Sequence, residues 1–342
     1  MSTNPHAPAG WIPRDGRQAL PSKSHVIAVP AGTPYHRLAL SEQHRWWRPL
    51  VATLTAMAGW WLSLLPLVIV LSVAGAMAGV EQSTDSDLLF ADPLWDYAAL
   101  LLTLALMLPA VLLAARWMQC RAAGTLCSVA GRLRWRWLLV CLAVAAAAVL
   151  FLCGLLALFA VTSGAAASES TPPTWAGWPT FLTAGAVIVL LVPLQAAAEE
   201  YVFRGWFLQV FGCYLRTPWV GIAVGAVLFA LAHGLGTPWG FADLVVFGVV
   251  LGVLVLRTGG LEAAIAFHVV NNLFFSLFQA AFVDGLSDTS TRADASWVLP
   301  AADAIVMLLY AWVILRLSRR LRIARTAPEP PRPLAEAAAT AG

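Results

Sequence analysis

From residue 49 onward the chain alternates long apolar runs with short polar ones. Eight runs stand out, near 49–78, 97–118, 137–161, 181–212, 219–234, 240–257, 261–282 and 297–317. A helix of about 20 apolar residues crosses the roughly 30 Å hydrocarbon layer, so each run predicts a transmembrane helix. The fourth run is long and the fifth short. Residues 1–48 are polar and rich in Pro, Gly, His and Arg without a sustained period, which predicts a largely disordered tail. Its last residues place Trp46 and Trp47 between Arg45 and Arg48, an arrangement suited to the headgroup region. Residues 162–180 read as a flexible outer loop, and residues 318–342 as a basic, then Pro- and Ala-rich tail. The expected fold is all-α, a polytopic transmembrane bundle of about eight spans, without an internal repeat. It divides into a tail (1–48), accessory helices and loops (49–180), a core (181–282), an outer loop with the last helix (283–317) and a second tail (318–342).

Composition supports this reading and excludes others. Of 342 residues 60% are hydrophobic and 11% charged, against about 25% charged in a soluble domain. No basic stripe with interleaved aromatics is present, so nucleic acid is not an expected partner. The five cysteines are odd in number and none lies in a segment expected outside, which argues against a disulfide framework. The first apolar run starts too far from Met1, and is too long, for a cleaved leader, so it is expected to remain as a span.

Loop charges orient the bundle. Arg116, Arg121, Arg132, Arg134 and Arg136 flank the loop between spans 2 and 3, and Arg316, Arg319, Arg320, Arg322 and Arg325 follow span 8. The loop between spans 1 and 2 carries only acidic charges, and Arg292 is the one arginine expected on the far side. The positive-inside rule places both termini in the cytoplasm, as an even span count requires, in what is expected to be the plasma membrane.

Against this background a few polar groups inside apolar runs carry the candidate chemistry, because ionisable groups in hydrocarbon are costly. They are Glu199 and Glu200 in span 4, His233 at the end of span 5, and His268, Asn271 and Asn272 in span 7. Glu199 lies 17 residues before Arg216 and His233 17 residues after it, so in an antiparallel hairpin both reach a similar depth. Glu200 and Arg204, four apart, can pair on one helix face, which leaves Glu199 for chemistry. His268 and Asn272 repeat the spacing and can face one site, as Phe229 and His233 do. A carboxylate and an imidazole activate water directly or through a metal, and a second imidazole and an amide can donate to an oxyanion. That set suits amide hydrolysis. Asp303 and Gln195 stay outside the expected site, and Asp243 and Glu262 are expected to be interfacial.

These residues resemble the CAAX protease and bacteriocin-processing (Abi) family of intramembrane proteases. Its motifs read here as Glu199-Glu200-Tyr-Val-Phe-Arg204, Phe229-Ala-Leu-Ala-His233 and His268-Val-Val-Asn-Asn272, in order, within residues 181–282. The resemblance implies a membrane-embedded endopeptidase acting on a membrane-associated protein or peptide. Glu199 and His233 would activate water, His268 and Asn272 would stabilise the oxyanion, and Glu200 and Arg204 would support them. If a metal is used, the resemblance makes Glu199, His233 and His268 its ligands and zinc the metal. The alternative is an idle member of the family that serves as a membrane immunity or scaffold protein; a transporter ranks third.

Overall fold

The structure, a computed structural model, describes residues 29–329 except 42, 86, 164–172 and 289. The outer parts of both expected tails and residues 164–172 of the expected 162–180 loop lie outside the described residues.

Every long apolar run folds as helix. The chain runs α1 (Arg48–Ala78), α2 (Pro93–Ala105), α3 (Met107–Trp117), α4 (Trp135–Ser163), α5 (Trp178–Glu200), a π-helical segment (Tyr201–Trp206), α6 (Phe207–Tyr214), α7 (Trp219–Ala232), α8 (Pro238–Thr258), α9 (Glu262–Ala280) and α10 (Val298–Arg320). Among the described residues, seven stretches are long and apolar enough to cross a membrane, with α2–α3 and α5–α6 each counting as one. The fifth expected span, α7, has 14 residues and covers only about 21 Å at 1.5 Å per residue. The protein is an integral membrane protein of helical architecture.

Local chemistry sets the helix starts. Asp92 accepts from the backbone of Leu94 and Trp95 ahead of Pro93, and Thr237 accepts from Gly240 N ahead of Pro238. Both are side-chain caps followed by Pro at the first helical position.

Packing ranks the helices. α9 is the central one, set against α4, α5 and α8, and its first eight residues, Glu262–Val269, are all buried. α7 packs on α8, α10 on α8 and α4, and α2 on α5. In α1 only Pro49, Ala52, Ala56 and Gly75 are buried, and most of its Leu, Met, Trp and Val side chains are exposed. Without a hydrophobic drive between helices in lipid, close approach depends on small residues. A Cβ on Gly225 would fall 2.5 Å from the Phe203 carbonyl oxygen, and one on Gly248 would fall 2.6 Å from Ala226. These contacts draw α7 against both the π segment and α8.

Three expectations change. Residues 29–41 are not a free tail: the buried Tyr35 donates to Leu126 O at 2.6 Å, and residues 32 and 33 pair with Ala327 through the backbone. Residues 174–176 of the expected outer loop pair with residues 281–283, and Trp175 packs on Trp178 and Phe181. Glu262 and Asp243 are not interfacial. Glu262 is fully buried and takes a two-pronged pair from Arg134, Nε to Oε1 and Nη2 to Oε2, both at 2.7 Å. The Asp243 pairing belongs to the candidate site. All five cysteines are free.

Candidate active site

The site begins with the change of helix type. α5 continues past Glu200 into six residues of π-helix, a rare wider winding that is often found at functional sites. Glu199 and Glu200 end the α-helical part and Arg204 sits within the π segment, all three buried. Arg204 Nη1 donates to Glu200 Oε1 at 2.9 Å, as their spacing of four predicts. The guanidinium also lies over the Phe229 ring at 4.0 Å and the Phe247 ring at 5.4 Å, so the buried cation has a carboxylate on one side and two aromatic faces on others.

α9 brings His268 to this pair. His268 Nδ1 is 2.7 Å from Glu200 Oε1. That oxygen, already accepting from Arg204, accepts here too, so Nδ1 donates and Nε2 is left for other partners. Glu199 Oε2 stands 3.5 Å from Nε2 and, though buried, has no hydrogen-bond partner. Phe229 and Phe247 meet the imidazole edge to face, with centroids 5.7 and 5.3 Å away.

His233 caps α7. Its Nδ1 is 2.9 Å from the Phe229 carbonyl oxygen, which can only accept, so Nδ1 carries the proton and Nε2 its lone pair. The Phe229 ring packs on the imidazole at 4.6 Å, matching the expected one-turn stacking.

His233 and His268 open onto one cavity of about 280 Å³. Asn271, Asn272, Phe229, Phe247 and Arg292 also line it. Of the expected site residues, His233, His268 and Asn272 thus face the cavity directly. Glu199 does not line it and lies immediately behind His268; Glu200 and Arg204 are the layer beneath. Asn272 Nδ2 donates to Gln195 Oε1 at 3.4 Å, which brings in the glutamine that the sequence reading left outside.

Sequence reasoning missed the remaining wall. Arg292, from the short turn Arg292–Asp294 before α10, reaches back into the bundle. Its Nε donates to Asp243 Oδ2 at 2.6 Å, and its Nη2 donates to Asp303 Oδ2. Both aspartates are buried. Burial works against the charge of Arg292, but the Asp303 and Asp243 carboxylates outweigh it and hold the guanidinium above the ordinary arginine value. Asp303, an acid inside an apolar run, was the one signal of this cluster.

The turn that carries Arg292 is seated on the segment after His233. Thr237 N donates to Ala293 O at 2.8 Å, Thr237 Oγ1 to Ala295 O at 2.6 Å and Thr291 Oγ1 to His233 O at 2.9 Å. The approach is close enough that a Cβ on Gly240 would fall 2.1 Å from Ala293 O.

Among the described residues no group of three or more His, Cys, Asp or Glu side chains is arranged to hold a metal ion. Both imidazoles commit Nδ1, to Phe229 O and to Glu200, which leaves each Nε2 free. Glu199, His233 and His268, the set expected for zinc, do not form such a group among the described residues.

Comparison with known proteins bears on the same region. Residues 178–274 match the family model described as type II CAAX prenyl endopeptidase Rce1-like. A stretch of 123 residues is 30% identical to the uncharacterized protein YyaK of Bacillus subtilis (strain 168), covering 33% of this chain and 41% of that protein. The chain thus spans less than half the length of this relative. No solved structure matches the chain. The family match spans α5 to most of α9, the elements that carry both glutamates, both histidines and the asparagine pair. Residues 178–274 are thus similar to the type II CAAX prenyl endopeptidase Rce1-like family, within a helical membrane protein.

Proposed function

We propose that this chain is an intramembrane endopeptidase that hydrolyses a peptide bond in a membrane-associated protein or peptide. The observation that carries the reading is the convergence of His233, His268 and Asn272 on one cavity, with the Glu199 carboxyl 3.5 Å behind the His268 Nε2.

Each group has a role that its hydrogen bonds suit. His233 Nε2, left as an acceptor, orients a water molecule, and Glu199, off the cavity wall in this structure, turns its unpartnered oxygen toward that water to take its proton as general base. The water oxygen bonds to the scissile carbonyl carbon while one O–H bond breaks toward Glu199. The carbonyl oxygen becomes an oxyanion that accepts from Asn272 Nδ2 and, with a proton on both ring nitrogens, from the Nε2–H of His268. The C–N bond then breaks, and the proton held by Glu199 passes to the leaving amine. Glu200 and Arg204 do not touch the substrate: they hold the His268 ring with its Nδ1 donating to Glu200. Glu199, Glu200 and Arg204 are buried, so they act at lower dielectric than groups in bulk water.

The substrate enters from the bilayer, and the protein sits in the plasma membrane with both termini cytoplasmic, as the arginine-rich loops require. The test compares new protein N-termini in native-host membranes that carry wild type or Glu199→Gln at equal abundance. Products found only with wild type support the protease. Identical profiles would sink it in favour of the scaffold reading, which needs no general base.

A further inference from the structure

An amide side chain looks the same to a cavity in either orientation, but its two ends act oppositely on an oxyanion. Asn272 serves the proposed reaction only if Nδ2 points to the site; turned by 180° it would present a carbonyl oxygen and repel the developing charge. Packing does not choose between the two, because O and NH2 have nearly the same size. Something must set the sense.

The structure supplies a chain of hydrogen bonds with a defined direction. Arg292 Nη1 donates to Asn271 Oδ1 at 3.5 Å, Asn271 Nδ2 donates to Asn272 Oδ1 at 3.3 Å, and Asn272 Nδ2 donates to Gln195 Oε1 at 3.4 Å. The chain starts at a group that has donors and no acceptor. Asn271 must therefore turn its oxygen to Arg292 and its NH2 to Asn272. Asn272 must then turn its oxygen to Asn271, which commits its NH2 to Gln195 and the cavity that Asn272 lines. Asp243 and Asp303 hold the head of the chain through Nε and Nη2, leaving Nη1 for Asn271.

We propose that Arg292 is a positioning residue that sets the polarity of the Asn271–Asn272 amides and so keeps an N–H of Asn272 toward the scissile carbonyl. The catalytic part of this inference rests on the protease reading; the amide part does not. Arg292 acts through Asn271 and touches no reacting atom.

Selective labelling makes the relay visible, because the chain has only three asparagines, Asn4, Asn271 and Asn272. The full-length protein, labelled with nitrogen-15 at asparagine, is purified in detergent as wild type, Arg292→Gln, Arg292→Lys and Asn271→Asp. Glutamine both donates and accepts, so Arg292→Gln releases the lock, and the Asn271 and Asn272 side-chain resonances are expected to double or broaden. Lysine donates only and has three hydrogens for three acceptors, so Arg292→Lys keeps single resonances. Asn271→Asp keeps the acceptor for Arg292 but cannot donate onward, so the Asn272 resonances shift; this variant decides the matter if Arg292→Gln does not fold. In native-host membranes, the products absent with Glu199→Gln are expected to fall by about 10²-fold with Arg292→Gln, the cost of losing one oxyanion donor, and to recover with Arg292→Lys. Unchanged resonances in Arg292→Gln or in Asn271→Asp overturn the proposal, as does an equal loss of products with Lys and Gln. If wild type and Glu199→Gln give the same products, the protease reading fails, and the resonances still decide whether Arg292 orients the amides.

Discussion

At the scale of single residues, the two adjacent glutamates divide the work through their partners. Glu200 is fully buried and uses one oxygen, Oε1, for both Arg204 and His268. Removing one partner of a buried ion pair costs about 3–5 kcal/mol, because the other charge is left without compensation. Glu200→Gln is therefore expected to lower the thermal midpoint and the membrane abundance of the protein as well as its activity. Glu199 carries no such network, so Glu199→Gln is expected to lose activity with abundance preserved. Thermal unfolding in detergent beside product profiling separates the two; equal stability of both variants would count against the Glu200 role. The Glu200–Arg204 pair was legible because its partners lie four residues apart on one element. The Arg292 cluster was not legible. Its partners Asp243 and Asp303 sit 49 residues before and 11 residues after it, and no local periodicity links a loop arginine to acids on two other helices.

At the scale of elements, the feature that builds the site is the π segment after Glu200. It lies inside a continuous apolar run, and hydrophobic pattern alone cannot distinguish 3.6 residues per turn from a wider winding over six positions. α7 meets this segment at Gly225, where a Cβ would stand 2.5 Å from the Phe203 carbonyl oxygen. Gly225→Ala must push α7 away, and α7 carries Phe229 and leads into His233. The expected outcome is a loss of about 1–3 kcal/mol of stability, typical of overpacking, with a fall in activity as His233 moves from the cavity. Wild-type unfolding and turnover in that variant would show that the contact is not a constraint.

At the scale of the whole molecule, the loops sort into two ends. Residues 32–35, the α3–α4 connection, the α8–α9 turn and residues 324–327 meet at one end, through Tyr35 to Leu126, Val129 to Gly259 and Arg134 to Ala324. The 174–176, 281–283 and 291–295 segments meet at the other, where the cavity lies. Arg134 and Glu262 tie the first end together, and Glu262 has no exposure. Arg134→Met is expected to cost about 3–5 kcal/mol by leaving that carboxylate unpaired, measured as a lower thermal midpoint, while activity persists below it because the site is at the far end. The same sorting predicts that tags on the two termini share one side. Proteolysis of both tags from the cytoplasmic face of inverted vesicles, and of neither from outside, is the expected result; a split result would overturn the assigned orientation.

The sequence by itself determined the solvent and the elements. Long apolar runs can only be membrane helices or a buried core, and the spacing of Glu199, Glu200, Arg204, His233, His268 and Asn272 already marked where costly polar groups were kept. Tertiary structure alone decided how those groups face one another. It placed Glu199 behind His268 and off the cavity wall, folded the 29–41 and 324–327 segments against the bundle, and drew Arg292 inward to Asp243, Asp303 and Asn271. The physical reason is range: helix formation depends on neighbours three or four residues away, whereas the direction of a buried hydrogen bond depends on whichever element happens to supply its partner.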